Sequence, residues 1–232
     1  MAKGDAAIGR SDSLRGAGWC AMLVGDFDQA NRLLGESLDL ADTARDPNAR
    51  ASTLMAMGWM HSMRGDHVLA LALLRDSAVG FERASYPLGQ IAASRFLGEA
   101  LCRAGEVDVG RAMLTEALDR YVRCSYGHVG DARTAVASWC LTEGDTAGAI
   151  RHADATIAHA NYPCHLRTAQ LILAAAHALD GRSNEAAAAW AALPAGAPTW
   201  EDREVARRLA SRCQATGRSA WALRLRSYAN SG

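Results

Sequence analysis

One glycine-led turn recurs along the whole chain. Gly25-Asp26 is followed by Ala30, Gly65-Asp66 by Ala70, and Gly105-Glu106 by Gly110. Gly144-Asp145 with Ala149, Gly181-Arg182 with Ala186 and Gly217-Arg218 with Ala222 continue the series. The turn glycines stand 40, 40, 39, 37 and 36 residues apart. Seven residues before each turn lies another small residue: Gly18, Gly58, Gly98, then Ala137, Ala174 and Ala210. Six registered units make this a repeat protein, in which each unit buries its face against its neighbours.

One unit can be built from local chemistry. A glycine at the end of an apolar-periodic stretch takes positive φ and closes a helix C-terminus. The Asp or Glu after it in units one to four suits the N-cap of the next helix. A mid-helix glycine such as Gly18 or Gly58 costs about 1 kcal/mol against alanine, so a close partner helix is expected there, meeting it through Ala30 or Ala70. Leu33, Leu34 and Leu38, then Leu73, Leu74 and Ala78, then Met113, Leu114 and Leu118 give the second helices an apolar face. Asp46-Pro47, Tyr86-Pro87 and Tyr162-Pro163 mark unit boundaries, because proline suits the first turn of a helix. No alternating strand pattern is present. The expected protein is all-α and water-soluble, an array of antiparallel helix pairs.

Composition narrows the chemistry. Twenty-five Lys+Arg balance 25 Asp+Glu, which argues against binding nucleic acid or an anionic membrane through bulk charge. There are 49 alanines, as expected where helices approach closely, and a single lysine, Lys3. A phosphate-loop lysine, a Schiff base and a lysine general base are thereby excluded from the repeat body. The six cysteines (20, 102, 124, 140, 164, 213) contain no C-x-x-C pair and are expected to be reduced, with a cytoplasmic location. No apolar run reaches membrane-spanning length, and residues 1–10 carry no signal-peptide stretch.

The repeat resembles the tetratricopeptide repeat family. The best-matching stretches are Gly58-Trp59-Met60-His61-Ser62-Met63-Arg64-Gly65-Asp66 through Ala70, and Gly98 through Gly110. The period exceeds the family's usual 34 residues. Ala21, His61 and Leu101 replace the aromatic of the first helix, and units five and six are degenerate. The long period resembles the variants in peptide-binding regulators and in the C-terminal arrays of bacterial LuxR-type and antibiotic-regulator signalling proteins. The resemblance implies a right-handed α-solenoid of about six helix pairs over 11–232, regular over 11–126 and degenerate over 127–232, after a flexible segment 1–10. The loop 193–199, with Pro194 and Pro198, is the one candidate linker. The helix 219–230 would cap the array through Trp221, Leu225 and Tyr228.

Mapping the family's groove positions onto the first helices gives Arg15, Trp19 and Met22 from unit one, and Met55, Trp59 and Ser62 from unit two. Unit three gives Arg95, Glu99 and Cys102, and unit four Asp131, Thr134 and Ser138. Trp19 and Trp59 share one repeat position and should be neighbours. They either line a groove for an extended or helical segment bearing a negative group, or fill the interior of a tight superhelix. The implied partner is a protein segment or peptide; a small-molecule effector is the alternative, and no direct nucleic-acid or membrane contact is expected.

Other chemistry is thinly represented. Cys124-x3-His128, and His159 with Cys164-His165, lack the paired spacing of structural zinc sites, and neither a metal nor a cofactor is expected. His61 and His177, equivalent in their units, fit interior histidines. Cys102 beside Glu99 and Arg95, or a Cys-His pairing across units, could supply a nucleophile for a helical-repeat enzyme of secondary metabolism, yet no G-x-S-x-G, H-E-x-x-H or Gly-rich cofactor loop occurs. A non-catalytic chain is therefore expected. From Glu201 onward seven arginines face three acids, a pattern that fits either an anionic partner or a solvated helix face.

Overall fold

The computed structural model describes residues 2–124, 129–159 and 163–231, with the side chains of 2–5, 163 and 164 not described. Twelve helices and no strand occur among the described residues. In order they are α1 (Ala2–Val24), α2 (Phe27–Ala44), α3 (Pro47–Arg64), α4 (His67–Arg83), α5 (Pro87–Arg103) and α6 (Val107–Arg123). There follow α7 (Val129–Glu143), α8 (Thr146–His159), α9 (Pro163–Leu179), α10 (Ser183–Ala191), α11 (Trp200–Ala215) and α12 (Ser219–Ala229). Helix α1 begins at Ala2, upstream of residue 11, where the repeat register starts. The chain divides into two compact units, Met1–Arg120 and Tyr121–Gly232.

The turn chemistry follows the repeat. All six turn glycines hold φ between 78° and 96°, a conformation that disfavours any side chain. In the second turn the N–H of Gly65 bonds the carbonyl of Ser62 and that of Asp66 the carbonyl of His61, closing α3. Asp26, Asp66 and Asp145 each accept a backbone N–H three residues on, from Gln29, Leu69 and Gly148. In the last two pairs Arg182 and Arg218 occupy the N-cap and make no side-chain cap bond. Here the sequence had already drifted. Arginine compensates from the other end. Arg218 donates to the Leu179 carbonyl at the C-terminus of α9, and the Arg212 guanidinium lies against Gly144, where a Cβ would stand.

In the first unit, packing explains the small residues. A Cβ on Gly18 would lie 2.9 Å from Leu34 Cγ, and one on Gly58 would lie 2.7 Å from Leu74 Cγ and 3.2 Å from the Ala70 carbonyl. In the third pair both partners are glycine, and a Cβ on Gly98 would stand 2.8 Å from the Gly110 carbonyl. Leu34, Leu74 and Leu114, 40 residues apart, are completely buried. Within the first two pairs, hydroxyls of the second helix recur in register. Ser37 Oγ bonds the Ser11 carbonyl, and Ser77 Oγ the Ala51 carbonyl, each across 26 residues. Phe81 packs with Ala51 and Ala93 where α4 meets its neighbours.

In the second unit, Ala137, Ala174 and Ala210 are buried at the same repeat position as those glycines. The loop 193–199 is held down by charge. Arg167 donates to the carbonyls of Ala195 and Ala197 and pairs with the buried Asp202 at 3.3 Å. Asp202 also closes a capping box with Thr199 and accepts from Thr168.

Candidate binding surface on the first helices

In the first unit the odd-numbered helices α1, α3 and α5 pack on one another and bring together most of the residues singled out from sequence. Trp19 on α1 and Trp59 on α3 both rest on Phe96 of α5, with ring centroids 5.6 and 5.1 Å away. Phe96 is what joins the two indoles. The Arg95 guanidinium lies 3.8 Å from the Phe96 centroid and pairs with Glu99 one turn on at 2.5 Å. Arg103, at the end of the same helix, stands 5.1 Å over the Trp59 ring.

Burial divides this set. Met22, Trp59, Ser62, Arg95, Glu99 and Cys102 are buried. Arg15, Trp19 and Met55 are partly exposed, and Arg15 pairs with Asp12 at 2.7 Å. The Ser62 hydroxyl is enclosed and has no hydrogen-bond partner. The Cys102 thiol faces the Val107 carbonyl at 3.8 Å, away from any exposed surface.

The charge of the first unit is segregated by helix. On α1 from residue 6, α3 and α5, six arginines (10, 15, 50, 64, 95, 103) stand against two acids (Asp12, Glu99), a formal +4. On α2, α4 and α6 as far as Arg120, five arginines (32, 75, 83, 111, 120) stand against nine acids (28, 36, 39, 42, 76, 82, 108, 116, 119), a formal −4. Within the first unit the odd-numbered helices are thus a basic row and the even-numbered ones an acidic row.

In the second unit Asp131, Thr134 and Ser138 lie on α7, whose neighbours include α9 and α11. Asp131 pairs with His165 of α9. Ser138 accepts from Arg208 of α11, which pairs with Glu204 at 3.2 Å and lies 4.6 Å over Trp139. Charges drawn partly out of water in this way are stabilised by pairing. The surplus of arginine after Glu201 is thus partly internal, since Arg208 and Arg212 are turned toward α7. His128 and the Cys164 side chain lie outside the described residues, and His165 pairs with a carboxylate. Burial holds the pKa of His61, and likewise that of His177, below the usual histidine value.

Phe96, Arg103, Arg167, Asp202 and Arg208 were missed from sequence. The first had a signal: unit three lacks the tryptophan of Trp19 and Trp59 at Glu99 but carries an aromatic one turn earlier. The long-range charge pairs had none, because Arg167 and Asp202 are 35 residues apart with no motif between them.

No family model and no curated protein matches this sequence. Solved structures do. The chain is similar to a Rap protein solved in complex with Competence and Sporulation Factor, at 15% identity and a TM-score of 0.79 over 96% of this chain. It spans 64% of the length of that Rap chain. It is also similar to BtubC (BKLC) from P. vanneervenii, at 17% identity and a TM-score of 0.58, covering 71% of this chain and 70% of that one. The fold is a tetratricopeptide-type helical repeat.

Proposed function

We propose that this chain is a non-catalytic binding module that takes a protein segment or peptide along its first helices, as the regulatory or sensory part of a bacterial signalling or transcription regulator. The observation that carries the reading is the partly exposed Trp19, seated on Phe96 with Arg15 one turn before it on α1, in a helix row of formal charge +4. An apolar anchor within a basic row suits a segment with one large apolar side chain and flanking acidic groups. The similarity to a Rap protein solved with a bound factor supports the same use of the fold. The burial of Cys102, and the mutual pairing of Arg95 with Glu99, support a structural rather than a catalytic part for that trio. Among the described residues no helix is long and apolar enough to cross a membrane, and the proposed setting is the cytoplasm.

The test is binding of defined peptides. Fluorescein-labelled dodecamers with one Trp or Leu among Asp and Glu are titrated against wild type, Trp19→Ala and Arg15→Glu, with thermal melts in parallel. Weakening of roughly tenfold in each variant with an unchanged melt is expected, in line with one anchor or one charge contact. Equal binding of acidic and neutral peptides, or full binding by Trp19→Ala, would refute the reading. A small-molecule effector at the same face predicts no peptide binding but a metabolite-dependent rise in melting temperature.

A further inference from the structure

Helices α10 and α12 of the second unit carry an aromatic cluster that the proposed binding face does not use. Trp190 of α10 meets Trp221 and Tyr228 of α12 with centroids 5.9 and 5.8 Å away, at interplanar angles of 70° and 73°. Trp221, Arg224 and Tyr228 follow at i, i+3 and i+7, so all three lie on one face of α12. The three rings are half-buried, whereas Leu225 beneath them is completely buried. They are therefore a partly open wall and not the core itself.

A cation already sits at this wall. The Arg224 guanidinium carbon lies 5.1 Å from the Trp221 ring and 5.2 Å from the Trp190 ring. Arg224 is itself exposed, and among the described residues it makes no hydrogen bond or ion pair. Its contacts at the wall are with the two ring faces, and each such contact is worth only ~0.5–1 kcal/mol at an exposed site. A guanidinium carries five N–H donors that want acceptors, and the rings supply none. The Tyr228 hydroxyl does not fill that role. It is enclosed without a partner, and burial pushes its pKa up to about 12, so it stays neutral. A better occupant would be a cation of similar size with no donor to satisfy.

We propose that Trp190, Trp221 and Tyr228 form a binding site for a quaternary ammonium group, such as that of a trimethylated lysine, with Arg224 as its resident and displaceable plug. The two indole faces stabilise a diffuse positive charge through their quadrupoles, and the Tyr228 ring packs edgewise against Trp190 as the third wall. The ammonium methyl groups gain apolar contact that the guanidinium edge does not. Arg224 is tethered to the exposed edge of α12 and can leave for water at little cost. The site would thus bind weakly in the native chain and more strongly once Arg224 is withdrawn or cut short.

The experiment uses the full chain and tetramethylammonium chloride as the probe, against sodium chloride at equal ionic strength. Indole N–H resonances of Trp190 and Trp221, assigned by Trp→Phe exchange, are followed in wild type, Arg224→Ala and Arg224→Ala/Trp190→Leu. The expected result is saturable shifts of these two resonances. Affinity should rise about fivefold in Arg224→Ala, the equivalent of one lost competing ring contact of ~1 kcal/mol, and binding should vanish in the double variant. Because Trp190→Leu can loosen α10, Trp190→Phe in the Arg224→Ala background is measured as well and should keep binding within a few-fold. Shifts equal to those with sodium chloride, an affinity not raised by Arg224→Ala, or binding unaffected by loss of the Trp190 ring would each overturn the proposal.

Discussion

Replacing Gly110 by alanine pits two opposing effects of known size against each other. Alanine is the better helix former, and in an unobstructed helix it gains up to about 1 kcal/mol over glycine. At Gly110 the added Cβ would stand 2.5 Å from the Gly98 carbonyl oxygen, 2.6 Å from Cys102 Sγ and 2.8 Å from the Cys102 backbone nitrogen. Ordinary carbon contacts begin near 3.5 Å, so α5 and α6 must part by about 1 Å. Two of the three obstacles are backbone atoms that no rotamer change can move. Overpacking of this kind costs roughly 1–3 kcal/mol, and its upper range applies where the backbone must shift. The net expectation for Gly110→Ala is a loss of about 1–2 kcal/mol. Gly35, also in a helix interior, has nothing within 4 Å of the position its Cβ would take. Gly35→Ala should therefore gain about 0.5–1 kcal/mol. At roughly 2–4 °C per kcal/mol for a chain of this size, the two variants should melt about 5–10 °C apart in a circular-dichroism scan. If they melt together, or Gly110→Ala is the more stable, the close approach of the third helix pair is not what fixes glycine there.

Three more expectations follow from the same geometry. Phe96→Ala removes the ring on which both Trp19 and Trp59 rest, and should cost about 3–5 kcal/mol by chemical denaturation while red-shifting tryptophan emission. Arg167→Met leaves Asp202 buried without its cation and frees the 193–199 loop. A loss of roughly 3–5 kcal/mol and limited proteolysis confined to that loop are expected, and an uncut loop would refute the strap. His61, His152 and His177 are held below their usual pKa chiefly by burial. The unfolded chain then binds more protons than the folded one below about pH 6.5, so stability should fall as pH drops from 7 toward 5. His61→Gln with His177→Gln should flatten that slope in urea titrations at the two pH values.

The turn glycines and their acids were legible because φ above zero and N-capping are local demands that leave a fixed residue type at a fixed spacing. Gly18, Gly58 and Gly98 were legible for a related reason: an unfavourable residue in mid-helix needs a neighbour, and the repeat names which one. What escaped was set between elements. The Ser37 and Ser77 hydroxyls join the two helices of their own pairs through backbone carbonyls of any residue type, so they leave no pattern. Arg167, Asp202, Arg208 and Glu204 satisfy one another across or within helices by length and flexibility, which a sequence period does not encode. The face itself was read in outline only. Trp59 and Met22, expected at the groove, are buried, and Phe96 takes the place at the centre that the register had given to Glu99. Unit three keeps its aromatic one turn early, on the helix that also carries the Arg95–Glu99 pair.

The most direct test is a selection of random twelve-residue peptides displayed on phage against the immobilised wild-type chain, with counter-selection on a Trp19→Ala/Arg15→Glu variant of matching melting temperature. A segment-binding face made of an aromatic anchor in a basic row predicts enriched peptides that are net acidic, share a large apolar residue and fail on the variant. Enrichment of basic or featureless sequences, or of peptides held equally by the variant, would contradict it.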